Sequence, residues 1–336
     1  MSSDSELPQG CSEPLASGPT ARTPPDRIPQ PTPEVSEQSV PESEWVEFRA
    51  DQVAASWREM FWELFHYREL LWQMILRDIR IRYKQAVMGF GWALLMPILV
   101  VGSGFVVKYV LAQTAGTALE IKAVAGMAVK ALAWTFFAGA LGFATNSLTN
   151  NIHLVSKIYF PREVFPLSAV LVQAFDTSIG TLLVLAALAM LPGVGLCWAG
   201  LWAVPLVLLL MAFTTALALV LSCANVFFRD VKYIAQLLIT FGIFFTPVFY
   251  ETEMLGPTGA QIMMLNPLAP ILEGLRLAVV QHHSLWVPLD QSASNGQTFW
   301  LWHPGWFLYA AACSVGGLLV CWRLFHRLEF LYAEYI

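Results

Sequence analysis

From residue 86 onward the chain is dominated by long uncharged runs, and just before them polar and apolar positions alternate with a helical period. In REMFWELFHYRELLWQMILRDIRIRYK (58–84) polar residues recur at Glu59, Glu63, His66, Glu69, Gln73, Arg77, Arg80 and Lys84. Spacings of three and four draw one stripe along a helix, with Phe61, Leu64, Leu71, Ile75 and Ile79 opposite. Arg68, Asp78 and Arg82 fall off the stripe, which predicts a bend. A segment that is amphipathic, aromatic and basic toward its end suits the membrane interface; it is not expected to cross.

A crossing helix needs about 20 apolar residues. The 23 uncharged residues between Lys84 and Lys108 predict a first span, with Pro97 inside it; neighbouring helices can satisfy the carbonyl that a proline frees. A second span is expected between Lys130 and His153. No charge occurs for 52 residues from Thr177 to Phe228, enough for two crossings separated by the breaker Leu191-Pro-Gly-Val-Gly195, hence spans near 164–190 and 199–224. A fifth is expected at 233–250 and a sixth at 304–322, around a loop at 251–303. The pattern predicts an all-α integral membrane protein: six transmembrane helices preceded by an amphipathic interfacial helix. Its divisions are a tail (1–44), an interface-helix region (45–85) and a six-helix domain (86–336).

Lysine and arginine counts near the span ends set the expected orientation. One side would carry Arg77, Arg80, Arg82, Lys84, Lys157, Arg162, Arg229, Lys232, Arg323 and Arg327; the other keeps Lys108, Lys122, Lys130 and Arg276. Ten against four places both termini in the cytoplasm and the 251–303 loop outside.

Composition agrees. Only 13% of residues are charged, about half the share in soluble domains, so much of the surface faces something other than water. The net charge of −5 is concentrated in residues 1–44, where eight acids stand against Arg22 and Arg27 among nine prolines. Such a segment cannot bury enough apolar surface to offset its ordering entropy and is expected to be disordered. It also lacks the basic and apolar regions of a cleavable signal, so the first apolar run is expected to be a real span. Four of the five cysteines sit in apolar runs without metal-ligand spacing, and no metal or disulfide role is expected.

No Gly-Lys dipeptide occurs, which excludes a phosphate-cradling loop of the GxxxxGK[ST] type. No HExxH or GxSxG motif stands out either. Active transport would draw on an ion gradient or a separate ATPase. Ion-driven carriers bury several ionisable groups along their spans, whereas Asp176 is the one clear case here; it could serve a proton relay or pin the bundle through polar neighbours. Short loops that mix aromatics with charge, NNIHLVSKIYFPRE (150–163) and NVFFRDVK (225–232), suit either partner docking or simple anchoring.

The stretches LFHYRELLWQMILRDIRIRYKQAVMGFGWALLMPIL (64–99), SLTNNIHLVSKIYFPREVFPLSAVL (147–171), NVFFRDVKYI (225–234), TPVFY (246–250), NPLAPILEGLR (266–276) and LFHRLEFLYAEYI (324–336) resemble, in order, those of ABC-2-type polysaccharide export permeases. These are the transmembrane subunits of O-antigen and teichoic acid ABC transporters. The resemblance covers residues 58–336 and implies a permease subunit, not an enzyme. It implies a homodimer working with two copies of a cytoplasmic ABC ATPase that binds the ATP and Mg, with no cofactor in this chain. The implied substrate is a polyisoprenyl-diphosphate-linked glycan crossing the inner membrane, with membrane lipid as surroundings and no nucleic acid. Arg77, Asp78, Arg82, Tyr83 and Lys84 match the family's interface helix. Lys157, Tyr159, Phe160, Pro161, Arg162 and Glu163 match its ATPase-coupling segment, to which Arg229 and Asp230 are added. Asn266, Pro267, Glu273 and Gly274 match the outer loop that folds back to gate the exit.

Two departures accompany the resemblance. The tail lies outside the family pattern, and KALAW (130–134) stands where a Gly-Leu-x-Pro-Trp run is usual. Trp92, Trp134, Phe136 and Phe137 are candidates for a glycan-channel lining, since sugar rings bind aromatic faces; they equally suit an interfacial belt. Alternatives are a permease of the same architecture for a drug, lipid, capsule or teichoic acid polymer, and an ion-coupled carrier.

Overall fold

In the computed structural model, residues 57–84, 91–116, 118–155, 161–190, 197–292 and 298–332 are described. The tail at 1–44 and the loop residues Lys157, Tyr159 and Phe160 lie outside them. The amphipathic region forms α1 (Trp57–His66) and α2 (Arg68–Lys84). Tyr67 marks the bend between them, yet its N–H still reaches Glu63 O at 3.0 Å, so the break is a kink. The apolar face is not simply laid on lipid. Met74 is buried with Leu148, Val164, Phe165, Leu219, Trp322 and Phe325, and Leu64 and Leu71 pack on the same cluster.

The bundle consists of α3 (Gly91–Ala115), α4 (Ile121–Thr145), α5 (Val164–Met190), α6 (Ala203–Phe227), α7 (Val231–Gly242), α8 (Gly256–Met264), α9 (Leu268–Val279) and α10 (Pro304–Tyr332). Helix α4 is the central member, apolar on most sides, and its Trp134, Phe136, Phe137 and Ala140 are buried in the main core. Among the described residues five helices are long and apolar enough to cross a membrane: α3, α4, α5, α6 with its preceding 3-10 turn, and α10.

The third expected span coincides with α5, the fourth lies within a few residues of its helix, and the sixth starts where α10 starts although that helix runs on to Tyr332. The first and second are displaced. Lys108 and Lys130, read in the sequence as span ends, lie inside α3 and α4, because each is buried against acids far along the chain. The fifth expected crossing is α7, whose 12 residues reach about 18 Å at 1.5 Å per residue, followed by turns through Tyr250.

Side chains satisfy the carbonyls that this early stop frees. Tyr250 Oη donates to Phe244 O at 3.0 Å, Asn266 Nδ2 to Phe245 O at 3.2 Å, and Lys130 Nζ to Tyr250 O at 2.9 Å. The expected 251–303 loop is largely structured. It folds back as α8 and α9 and ends in an antiparallel hairpin, β1 (Leu289–Ser292) with β2 (Thr298–Trp302), the strand pair among the described residues. Trp302 is fully buried, with its indole N–H on Leu285 O at 2.9 Å. A Cβ on Gly274 would come within 3.2 Å of both Leu206 and Trp302, so the small residue lets α9 press against α6 and the hairpin.

Candidate functional site

Two polar constellations and one cavity stand out in the apolar bundle. The first constellation surrounds Asp176 in α5. Tyr83 Oη donates to its Oδ1, and Arg82 forms an ion pair with its Oδ2. The Arg82 guanidinium also lies 4.1 Å above the Phe143 ring and 3.4 Å from Gln173 Oε1. Farther back on α2, Arg77 reaches Asn151 Oδ1 at 3.1 Å and pairs with Asp78 at 2.8 Å. The basic end of the interface helix is therefore tied to the middle of α5, and Asp176 does not stand alone at membrane depth. Lys84, the last residue of α2, is exposed.

Arg82, Tyr83 and Asp176 also form the polar end of a cavity of about 690 Å³ whose walls include Pro97, Trp134, Gln173 and Phe249. Gly242, at the end of α7, makes room for Trp134: a Cβ there would sit 3.0 Å from the indole. The candidate channel aromatics do not line one cavity, although Trp134 and Phe137 touch, with ring centroids 5.4 Å apart. Trp134 lines this cavity. Phe136 lines a different, apolar cleft of about 410 Å³ between α4, α5, α6 and α9. Phe137 stacks against Phe213, with ring centroids 6.2 Å apart. The side chain of Trp92 lies outside the described residues.

The second constellation, at the opposite end of the bundle, was not legible in the sequence. Lys130 Nζ lies 3.6 Å from Glu273 Oε2, and both side chains are essentially inaccessible. Arg276 Nε donates to Glu273 Oε1 at 2.6 Å, and Arg276 Nη2 pairs with Glu253 at 2.9 Å. Lys108 pairs with Glu251 at 2.9 Å. Three cations thus face three acids, and buried charges are tolerable only when paired in this way. Burial works against the charge of Arg276, but Glu273 and Glu253 outweigh it and hold the guanidinium above its ordinary value. Burial would raise the Glu251 carboxyl; the hydrogen bond and charge of Lys108 overrule it and hold the group below 4.5. Of the four outer-loop residues singled out in the sequence, Glu273 belongs to this network and Gly274 packs beside it on α9. Asn266 accepts from Leu268 N–H at 3.2 Å to start α9, while Pro267 precedes the first turn.

The residues expected from the sequence to couple to an ATPase divide by exposure. Pro161 and Glu163 are buried, Arg162 is half-buried, and Arg229 and Asp230 are exposed in the turn between α6 and α7. Glu163 points into the protein: Trp322 Nε1 donates to its Oε1 at 2.8 Å, and His326 Nδ1 lies 3.5 Å away. Burial raises the Glu63 carboxyl above its ordinary value, the like charge of Glu163 adds to this, and His326 opposes it. Asn225 is buried at the end of α6, donating to Thr145 O at 3.0 Å.

Residues 69–280, from the start of α2 to the end of α9, match the ABC-2 type transporter family. The chain is 30% identical over 225 residues to the O-antigen export system permease protein RfbA of Myxococcus xanthus, covering 66% of this chain and 84% of that one. It is 27% identical over 218 residues to the protein of the same name from Klebsiella pneumoniae, covering 64% and 81%. With a bundle of membrane-length helices and a family match over more than half its residues, this chain belongs to the ABC-2 type transporter family and is a multi-pass membrane permease, not an enzyme in itself.

Proposed function

We propose that the chain is the permease of an ATP-driven exporter for a lipid-linked, O-antigen-like polysaccharide. It works as a homodimer with two copies of a separate cytoplasmic ATPase, which supplies ATP and Mg binding. The observation that carries this reading is similarity along more than four-fifths of two relatives named as O-antigen export permeases. An inner-membrane location with both termini inside is supported by the charge bias. Three of the four cations on the opposite side, Lys108, Lys130 and Arg276, are paired with glutamates. Orientation then makes the α1–α2 end cytoplasmic and the α8–α9 fold-back external. In this reading half-buried Arg162 and exposed Arg229 and Asp230 meet the ATPase, while buried Glu163 holds the segment to the bundle from inside. Trp134 borders the glycan route, and α9 belongs to the exit.

The engagement of Asp176 by Tyr83 and Arg82 favours an anchoring role over a proton relay. Inactivating the gene should strip the glycan from the cell surface and leave it attached to its lipid carrier inside. The native chain should restore export only with its ATPase, in a vanadate-sensitive manner. Export by this chain alone, abolished by an uncoupler and indifferent to vanadate, would overturn the proposal.

A further inference from the structure

The wall of the 690 Å³ cavity includes a side chain that lies two residues from an ion pair. Phe249 lines the cavity opposite Val100 and Trp134. It meets α3 where that helix carries Gly104: a Cβ on Gly104 would come 3.2 Å from the Phe249 ring and 2.5 Å from Met127 Sδ. One helical turn further, on the same face of α3, Lys108 pairs with Glu251, two residues beyond Phe249. The strap from Tyr250 to Glu253 is thus fastened at three successive points: its first carbonyl by Lys130, Glu251 by Lys108 and Glu253 by Arg276.

These fastenings are unequal. Lys130 and Glu273 are 1% and 0% exposed, so parting them would strand charges out of reach of water. Lys108 is 9% and Glu251 20% exposed, so water can take over as that pair separates. Arg276 and Glu253 are similarly accessible, at 6% and 22%, but Arg276 is also held by the inaccessible Glu273. The Lys108–Glu251 pair, two residues from Phe249, is therefore the fastening whose parting frees the strap beside the cavity.

We propose that the Lys108–Glu251 ion pair is a releasable clasp that seats Phe249 as the outer plug of the cavity beside Trp134. Both residues are positioning residues: they act through Phe249 and are not required to touch the cargo. The outward direction, and the cavity as a glycan route, rest on the function proposed above.

The test measures access, not export. In a background with the five native cysteines replaced, Ala138→Cys places a thiol in the cavity wall behind Trp134. Intact spheroplasts holding the full assembly are treated with a membrane-impermeant maleimide. Lys108→Met and Glu251→Gln should each raise the labelling rate by about tenfold or more, the scale expected when a partly buried charge loses its partner. The double variant should label no faster than the quicker single one, as for two halves of one interaction. Lys122→Met, which removes an exposed cation at the same end, should leave the rate unchanged. Labelling at the parent rate in correctly inserted single variants, or additive acceleration in the double variant, would overturn the clasp. Should the charge variants fail to insert, Phe249→Ala carries the same expectation, and unchanged labelling there would equally overturn it. Faster labelling in cells whose surface glycan does not depend on this chain would retain the clasp and sink the polysaccharide reading.

Discussion

The indole N–H of Trp322, in the last helix, donates to Glu163 Oε1 at 2.8 Å across 159 positions of sequence. This bond fixes the chain where it enters α5, and it turns Glu163 inward, away from any partner that Arg229 and Asp230 can meet. Trp322→Phe keeps most of the packing and removes the donor. An unsatisfied buried acceptor costs about 1–3 kcal/mol. The thermal midpoint of the purified protein in detergent should fall by a few degrees; an unchanged midpoint would show that water replaces the indole at no loss.

Asp176 should behave as half of a pair. Asp176→Asn keeps an acceptor for Tyr83 and Arg82 and should insert and fold with little loss. Asp176→Leu leaves a partly exposed guanidinium without its acid and should destabilise by about 1–3 kcal/mol. Adding Arg82→Met to Asp176→Leu should recover much of that loss in the same thermal assay. Equal destabilisation by the single and double variants would mean that the ion pair is not what Asp176 provides.

Glu63 provides a pH-dependent test. Its carboxyl is raised by burial and by Glu163, so the folded state binds the proton more tightly than the unfolded one. That contribution is fully present below 4.5 and is lost as pH rises through the folded value. At neutral pH the ionised group therefore opposes the docking of α1. Glu63→Gln should raise the thermal midpoint near pH 7 and flatten its decline between mildly acidic and neutral pH. A midpoint that falls at pH 7 would show that the negative charge is needed there.

Lys130 should be the least replaceable cation of the fold-back network. Lys130→Met leaves Tyr250 O without its donor and Glu273 without one of its counter-charges. Losing one partner of a buried pair costs about 3–5 kcal/mol. The variant should accumulate poorly in membranes, and Glu273→Gln in the same chain should partly restore it. Normal accumulation of Lys130→Met alone would mean that Arg276 suffices to compensate Glu273.

The physics of the network also explains which parts of the fold were legible. Helix α5 could be read to its ends because Pro161 and the charges beside it precede a long apolar run in which Asp176 is the one charge. Helices α3 and α4 could not, because a lysine in a sequence marks water unless its partner is known. The acids that permit Lys108 and Lys130 inside helices lie more than a hundred residues later. The kink at Tyr67 follows from residues off the polar stripe, a local signal. That Arg82 and Tyr83 reach Asp176, and that Trp302 fills a core site from a hairpin, are long-range facts without a periodic trace. The aromatics of α4 show the same limit: Trp134, Phe136 and Phe137 share one core, yet Trp134 and Phe136 line different cavities.

The early stop of α7 has a mechanical consequence. In the through-going helices most carbonyls are held by a ladder of backbone bonds, Pro97 in α3 leaving a gap in its own, and such a wall does not part without breaking the ladder. Beyond Gly242 the carbonyls of Phe244, Phe245 and Tyr250 are instead held by the side chains of Tyr250, Asn266 and Lys130. The exposed donors from Tyr250 and Asn266 can be exchanged for water one at a time at small net change, while buried Lys130 keeps the far end of the stretch fixed. This stretch is therefore a seam in the bundle, where the backbone can shift without any helix unwinding.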